Sequence, residues 1–492
     1  MKKIIGRWSC MLIAVCMCFC VLVACGGGED GKETVNGALE TTADGEATAF
    51  STVRKKDYDE YAFNIMYFAG QDGLEKDFVA EGLTGEVLND RVFKKNQVVT
   101  QTYNIVLKLE TMTTDELYPF IRNNSLVGDS PYDVYGINRN GISLCYEGYF
   151  LDLTMLDDID MTKEWWDQKW INSMTVNDSL FSLVGDFSIG SLQSLSCLCF
   201  NKDLFDDRQL EHPYAAVRAG EWTYEKMLEY VKDATQDLDD NNKYNEDDFY
   251  GLAGWGTEAS YALFYGSGFS FARTGETGDL EISYNMDTLT QVYDYIHRIW
   301  NVEKNYRNDT GDSSQHSYPW DIFKADRSLF LDTTLLKIGL FLSDMESEYG
   351  VIPSPKLNTD QTDYSSYSSY TIPMTCVAVN TSDPQRTGNI IEAFCTASYD
   401  MVTPDIFSIV TKLQNVNDPD SAEMVDIIIR TKMFDPAHWY VLSGYTNFCR
   451  AMLKTGSTNI SSYLKGYTKP APAEIENINK LYKESQSKNQ NK

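Results

Sequence analysis

Hydrophobic positions along the chain change period repeatedly. Phe63-Asn64-Ile65-Met66-Tyr67-Phe68 is a short, nearly continuous apolar run, the pattern of a strand buried on both faces. Leu88, Val92, Val99 and Tyr103 then fall on one helical stripe, and Ile105-Val106-Leu107-Lys108-Leu109 reads as a second strand. Asp115 to Arg122 predicts a short helix, and Asp133-Val134-Tyr135-Gly136 a third strand. Strand, helix, strand, helix, strand is the order of a parallel α/β sheet. A second region repeats the style. Cys197–Asn201 reads as a strand, and Thr223 caps a helix with Tyr224, Met227, Leu228 and Val231 on its inner face. Tyr250–Ala253 predicts a strand, and Leu289, Val292, Tyr293, Ile296 and Ile299 mark an amphipathic helix. Further strands are expected at Ser328–Leu331, Gly350–Pro353 and Met374–Asn380, then a helix from about Pro384 to Ala397 and a mostly helical C-terminal third. No internal repeat is visible.

The N-terminal segment departs from this pattern. Lys2, Lys3 and Arg7 precede an uncharged apolar run from Trp8 to Ala24. Leu22-Val23-Ala24-Cys25 resembles the bacterial lipobox, where a small residue precedes a cysteine that is diacylated after cleavage. Residues 1–24 are thus expected to be a lipoprotein signal peptide, the alternative being a plain signal anchor. Cys25 would carry two acyl chains, including palmitate, enough for stable attachment. Residues 25–57 are rich in Gly, Thr, Glu, Asp and Ala and read as a lipidated flexible tether, with the folded body starting near Tyr58.

Charge narrows the function classes. The 492 residues carry 72 acidic and 42 basic side chains, a formal net charge of −30. Such a surface repels phosphate backbones, which argues against nucleic-acid binding. The four histidines, His212, His297, His316 and His438, show no helix-turn spacing, so zinc hydrolase motifs are absent. Beyond Cys25 the cysteines are Cys145, Cys197, Cys199, Cys376, Cys395 and Cys449; their spacing completes no zinc site and reads as free buried thiols.

The order of segments carries a resemblance. Tyr132-Asp133-Val134, Gly148-Tyr149-Phe150-Leu151-Asp152-Leu153, Val176-Asn177-Asp178-Ser179-Leu180-Phe181, Phe200-Asn201-Lys202-Asp203-Leu204, Gly220-Glu221-Trp222-Thr223 and Tyr349-Gly350-Val351-Ile352-Pro353-Ser354-Pro355-Lys356 follow one another. In that order they resemble the family 1 extracellular solute-binding proteins of ABC importers, the maltose-binding-protein-like sugar receptors. The resemblance runs from the lipobox to Tyr482. It implies a two-lobed α/β, periplasmic-binding-protein type II-like fold with a ligand cleft between the lobes and a helical C-terminal region. Carried onto this chain, lobe one is 58–190 plus 326–372, and lobe two is 191–325 plus 373–492. It further implies a lipid-anchored, monomeric receptor on the extracellular face of the cell membrane. Such a receptor presents a carbohydrate to the permease subunits of the importer and catalyses nothing.

Ligands of open α/β sheets bind beyond the carboxyl ends of the strands, which selects candidate residues without an alignment. Asn138 and Arg139 follow the third strand, Asp186 and Phe187 follow Leu180–Val184, and Trp255 stands between glycines after Tyr250–Ala253. Asp332 follows Ser328–Leu331, and Tyr364, Tyr367 and Tyr370 space three rings through a polar loop, of which Tyr367 and Tyr370 are the candidates. Flat rings match the C–H faces of sugars, and planar polar groups match their hydroxyls. Trp165, Trp166 and Trp170 fit one face of a helix opened by Thr162 and read as lobe packing, and Trp222 reads as a staple before the Thr223 cap.

A second constellation lies at 237–248. Asp237, Asp239, Asn241, Asn245 and Asp248 occupy positions 1, 3, 5, 9 and 12 of a calcium loop, with the carbonyl of Lys243 at position 7. Asn242 stands where glycine normally makes the left-handed turn, and asparagine tolerates that region best among the other residues. A structural Ca²⁺ is therefore the expected cofactor, with a solvated acidic turn as the plainer alternative. Two other functions fit the same composition. One is a secreted carbohydrate-active enzyme, a lyase or glycosidase, working through paired carboxylates. The other is a binding protein for a non-sugar solute such as a peptide.

Overall fold

The computed structural model describes residues 48–69, 78–125, 127–308, 318–406 and 419–489. The signal peptide and Cys25 lie outside them. In chain order the strands are β1 (Tyr61–Phe68), β2 (Ile105–Met112), β3 (Val134–Ile137), β4 (Ser196–Asn201), β5 (Tyr250–Trp255), β6 (Ala272–Thr274), β7 (Leu280–Ile282), β8 (Tyr306–Asn308), β9 (Ser328–Thr334), β10 (Tyr349–Ile352), β11 (Ser366–Tyr367), β12 (Met374–Cys376) and β13 (Lys432–Met433).

Two sheets organise them. The first has the order β12-β3-β1-β2. Its apolar centre, β1, pairs in parallel with β2 from Tyr61↔Ile105 to Phe68↔Met112, and with β3 from Ile65↔Val134 to Tyr67↔Gly136. A strand enclosed on both edges needs apolar side chains on both faces, which is why its sequence is an unbroken run. The helices Val87–Tyr103 and Pro384–Met401 pack against each other over this sheet, and Phe394 lies 6.2 Å from Phe63. The second sheet has the order β10-β4-β9-β5-β8, with β9 antiparallel to β4 and parallel to β5.

These pairings correct the expected lobe boundaries. β9 and β10, placed above in lobe one (326–372), belong to the second sheet. β12, placed in lobe two (373–492), pairs antiparallel with β3 through Met374↔Ile137. The chain returns to lobe one later than expected, along a segment that runs back beside the outgoing one. Leu183 and Thr375 exchange two backbone hydrogen bonds, of 2.9 and 2.8 Å, and Leu195 bridges to Ser368. The chain crosses again after Met401, since the helix Pro419–Arg430 packs on β10.

The tether boundary is also corrected. Thr48 caps a short helix, Ala49–Thr52, and Phe50 is buried against Tyr103. The amides of Ala49 and Phe50 donate to the carboxylate of Asp400, at 3.1 and 2.8 Å. The body therefore begins by Thr48, because one aromatic in a polar segment finds a cavity and a carboxylate finds two orphan amides. Among the described residues no helix is long and apolar enough to cross a membrane. The six cysteines after Cys25 are buried and free.

The three tryptophans pack lobe one, though not from one helix. Trp165 and Trp166 precede the helix Gln168–Met174, which carries Trp170. Both indole N–H groups donate to buried Glu392, at 2.8 and 2.9 Å. Burial pushes the Glu392 carboxyl up to about 7, against those hydrogen bonds. An acid whose folded value lies above its unfolded one stabilises the fold fully below the unfolded value, near 4.5, and loses that contribution as pH rises through about 7. Glu392→Gln should remove this pH-dependent part and leave one indole N–H without an acceptor. Urea unfolding between pH 4.5 and 8 should show a flatter pH profile for the variant and a loss of about 1–3 kcal/mol at pH 5.

Candidate functional site

The carboxyl ends of β3, β5 and β9 and the returning segment after β11 converge between the lobes. Arg139 enters from lobe one in the turn Arg139–Gly141, which Asn138 caps. Its Nη1 donates to Nε2 of His438 at 2.7 Å, and its guanidinium lies over the Tyr370 ring, 4.7 Å from the centre. The Arg139 amide also donates to the Tyr370 carbonyl, at 3.3 Å. His438 stands on the helix Pro436–Trp439 and is 1% exposed. Burial, and then the Arg139 charge, hold its basicity well below the usual range, so it accepts as a neutral ring.

Tyr367, Tyr261 and Tyr265 close around this pair. The Tyr367 hydroxyl lies 3.2 Å from His438 Nε2, and its ring is stacked on Tyr265 at 5.5 Å. Tyr261 meets the His438 ring at 4.8 Å and donates to the Thr446 carbonyl at 2.7 Å. Burial raises all three phenols, so they too are neutral.

Lobe two contributes a column of rings. Trp255 ends β5 and is half-buried. It stacks on Tyr318 at 5.4 Å and on Trp320 at 5.9 Å; Tyr318 and Trp320 stack at 4.5 Å, and Trp320 and Phe341 at 4.2 Å. Lys337, on the helix Leu335–Phe341, pairs with Glu258 and stands 5.9 Å from the centre of the Trp320 ring. The two groups share one electrostatic neighbourhood. Burial raises the Tyr370 hydroxyl, Glu258 adds to that, and Arg139, Lys337 and Arg450 oppose it.

The structure therefore brings together Arg139, Tyr367 and Tyr370 of the candidates, and sets Trp255 in a separate ring column that Lys337 borders. The others serve different ends. Asn138 is 2% exposed, and its Oδ1 accepts from Tyr118 at 2.7 Å and from the Asn140 amide at 3.0 Å, so it orders the turn that aims Arg139. Phe187 packs between Phe78, at 4.9 Å, and Phe394 in the lobe-one core, not in the cleft. Asp186 is buried beside it and accepts from Thr403 at 2.7 Å. Burial pushes Asp186 up to about 7, with Lys432 opposing and Asp167 and Glu164 adding. Leu180–Val184 forms no strand, only the single bridge of Leu183 to Thr375, so the rule of strand ends does not apply to the residues after it.

Asp332 is enclosed too. Its register partner Gly254 leaves no room: an added Cβ there would lie 2.7 Å from both Ala259 Cβ and Trp300 Cη2, and 3.3 Å from Asp332 Cβ. Both Asp332 carboxyl oxygens are buried without a hydrogen-bond partner, and burial, then Glu258, push the acid well up. Sequence reasoning missed Tyr261, Tyr265, Glu258, Lys337, Trp320 and His438. Tyr261 and Tyr265 are one turn apart on the helix Gly256–Gly266 that leaves Trp255, a signal present in the sequence. Nothing local marks His438.

The acidic loop stands apart from the cleft. Oxygens of Asp237, Asp239 and Asp248 lie within 4.8 Å of one another. Asp248 is buried and accepts from the amides of Leu238 and Asn245; Asp237 accepts from those of Asn241 and Asn242. Asn242 has φ 60°, the left-handed turn expected at that position. Asn241 and Asn245 direct their Oδ1 atoms to the amides of Lys243 and Asp247.

No family model matches the chain, and no curated protein sequence matches it. Solved structures do. An ABC substrate-binding protein of Listeria monocytogenes in complex with cycloalternan is 18% identical, with 86% of this chain and 99% of that one covered and a TM-score of 0.52. A cyclo/maltodextrin-binding protein complexed with maltotetraose is 13% identical, covering 86% and 96% at a TM-score of 0.54. An ABC transporter solute-binding protein from Thermotoga lettingae bound with α-D-tagatose is 12% identical, covering 86% and 100% at 0.52. At such identities the shared property is the architecture: this chain has the two-lobed α/β fold of solute-binding proteins.

Proposed function

We propose that the protein is the lipid-anchored extracellular receptor of an ABC importer, binding a saccharide between its lobes. The observation that carries this reading is the presence of half-buried Arg139 and Tyr370 at the end of β3 and of half-buried Trp255, heading a ring column, at the end of β5. Together they offer planar polar groups and flat apolar faces, the two surfaces a sugar needs. The solute-binding proteins of the same fold hold cycloalternan and maltotetraose, which supports it. The function needs lobe closure on the ligand and presentation of the closed form to the permease, with no covalent step. Mixed glycans should raise the melting temperature and remain intact; release of products would identify a lyase or glycosidase instead. Trp255→Ala should weaken saccharide binding by about 2 kcal/mol, roughly thirtyfold, with the fold retained. Unchanged affinity would remove the ring column from the site.

Anchoring belongs to the same reading. The lipobox ending at Cys25 makes it the acylated residue. Cys25→Ser should release the protein from the membrane fraction, and a variant retained and unprocessed would mark residues 1–24 as a signal anchor.

The loop 237–248 is read as a structural Ca²⁺ site. Asp237, Asp239, Asn241, Asn245 and Asp248 would supply side-chain oxygen and Lys243 its carbonyl. Three gathered carboxylates and the left-handed Asn242 support it. A cation bound only by the folded state stabilises it by about 2.7 kcal/mol at a hundredfold excess over Kd. A chelator should therefore lower the melting temperature. Ca²⁺ should restore it better than Mg²⁺, which dehydrates reluctantly and prefers a tighter octahedron. Asp239→Ala should abolish the response and leave saccharide affinity unchanged.

A further inference from the structure

The sign of the charge in the cleft is opposite to that of the protein. Arg139 is half-buried, and among the described residues no carboxylate pairs with it. Its partners are a neutral imidazole and the Tyr370 ring, and its Nε is buried without an acceptor. Arg450, on the helix Phe448–Thr455, is half-buried and likewise has no carboxylate partner among the described residues. It stands one turn after Asn447, whose Oδ1 accepts from Tyr261 at 3.2 Å, and both guanidinium groups act on Tyr261 and Tyr370.

The other charges near the phenols have partners of their own or are buried; Asp435 lies behind Tyr265, which donates to it at 3.2 Å, and it accepts from Ser270 and from the amides of Phe271, Ala272 and Ala437. Lys337 is neutralised by Glu258, and Asp332 is buried, unpaired and disposed to be neutral. His438, Tyr261, Tyr367 and Tyr370 carry no charge near neutral pH. Two uncompensated guanidinium groups are thus left in a chain with 72 acidic side chains and a net charge of −30. A partly desolvated cation is costly unless an anion pairs with it, and among the described residues none of the nearby carboxylates is paired with either guanidinium group. The guanidinium fork matches a carboxylate with two parallel hydrogen bonds, a match no neutral hydroxyl reproduces. The unfilled Nε of Arg139 is one prong of that fork.

We infer that the saccharide is acidic, its sugar units bearing carboxylates as uronic acids do, with one carboxylate set against Arg139 and Arg450 while a neighbouring ring lies on the Trp255 column. This rests on the reading of the protein as a saccharide receptor and specifies its ligand class. The neutral His438 and the Tyr370 ring then hold Arg139 in place without consuming its charge.

The experiment compares matched ligands by isothermal titration of the whole protein. One set holds galacturonate, guluronate and mannuronate oligosaccharides; the second holds their methyl esters, of the same size without the charge; the third holds malto-oligosaccharides. The inference expects a free acid to bind at least tenfold more tightly than its ester in 20 mM NaCl, with the ratio shrinking as salt is raised. Arg139→Gln should cut acid affinity at least tenfold and ester affinity by less, so that the acid-to-ester ratio falls toward one. Arg450→Gln provides a second variant should the first fail to fold, and the acid–ester comparison needs neither. Esters or malto-oligosaccharides binding as tightly as the acids would overturn the acidic ligand and leave the saccharide receptor standing. Binding of no member of any set would overturn both.

Discussion

The reciprocal backbone pairing of Leu183 with Thr375 is the constraint on which the rest depends. Two segments that cross between lobes run antiparallel there, and a ladder permits small rotations about its axis while fixing its register. That register determines which face of each sheet looks across the junction. The return segment after Tyr367 carries Tyr370 to the mouth of β3, where its carbonyl receives the Arg139 amide. Close to the ladder, Lys432 of β13 meets the buried carboxylate of Asp167. A pair of that kind contributes little by its formation, yet loss of either partner leaves an uncompensated charge inside. It ties the segment that follows the helix Pro419–Arg430 to lobe one.

The lobes bring different chemistry to their junction. Lobe one offers a cation oriented by a capped turn, and lobe two offers rings stacked from the end of β5 across the helix Pro319–Lys324 to the helix Leu335–Phe341. Asn138 turns the chain, His438 receives the guanidinium, and Gly254 lets Ala259 and Trp300 close over Asp332. Each is a small local rule, and together they leave half-buried aromatic faces and an unfilled donor at the ends of β3 and β5.

Much of the fold was legible because its strands are enclosed. The Phe63–Phe68 run, the stripe from Leu88 to Tyr103 and the Thr223 cap all behave as their spacing requires. Lobe boundaries were not legible. β9 and β12 have equally apolar neighbours, and only pairing partners, set by contacts distant in sequence, tell which sheet each joins. In the site, Trp255 announced itself by flanking glycines at a strand end. Phe187 and Asp332 were placed by the same rule and are buried, because Leu180–Val184 forms no strand and β9 runs on past Asp332 to Thr334, so neither stands at a strand end. Thr48–Val53 was hidden by composition, where a single phenylalanine outweighs its polar neighbours.

The last helix has a mechanical consequence. Asn479 on Ala471–Asn489 both accepts from and donates to the backbone of Leu280, in the β6–β7 hairpin of lobe two. Two turns on, Ser485 donates to the Tyr146 carbonyl and Gln486 to that of Asn177, while Tyr482 packs on Phe181 of lobe one. One rod is thus fastened to the hairpin and to lobe one, close beside the crossing ladder, since Phe181 lies two residues before Leu183. The hairpin also bonds lobe one directly, Thr274 to the Thr175 carbonyl and the Asn177 amide to the Gly278 carbonyl, both at 2.8 Å, so the rod braces a seam already closed beside the place where the chain crosses.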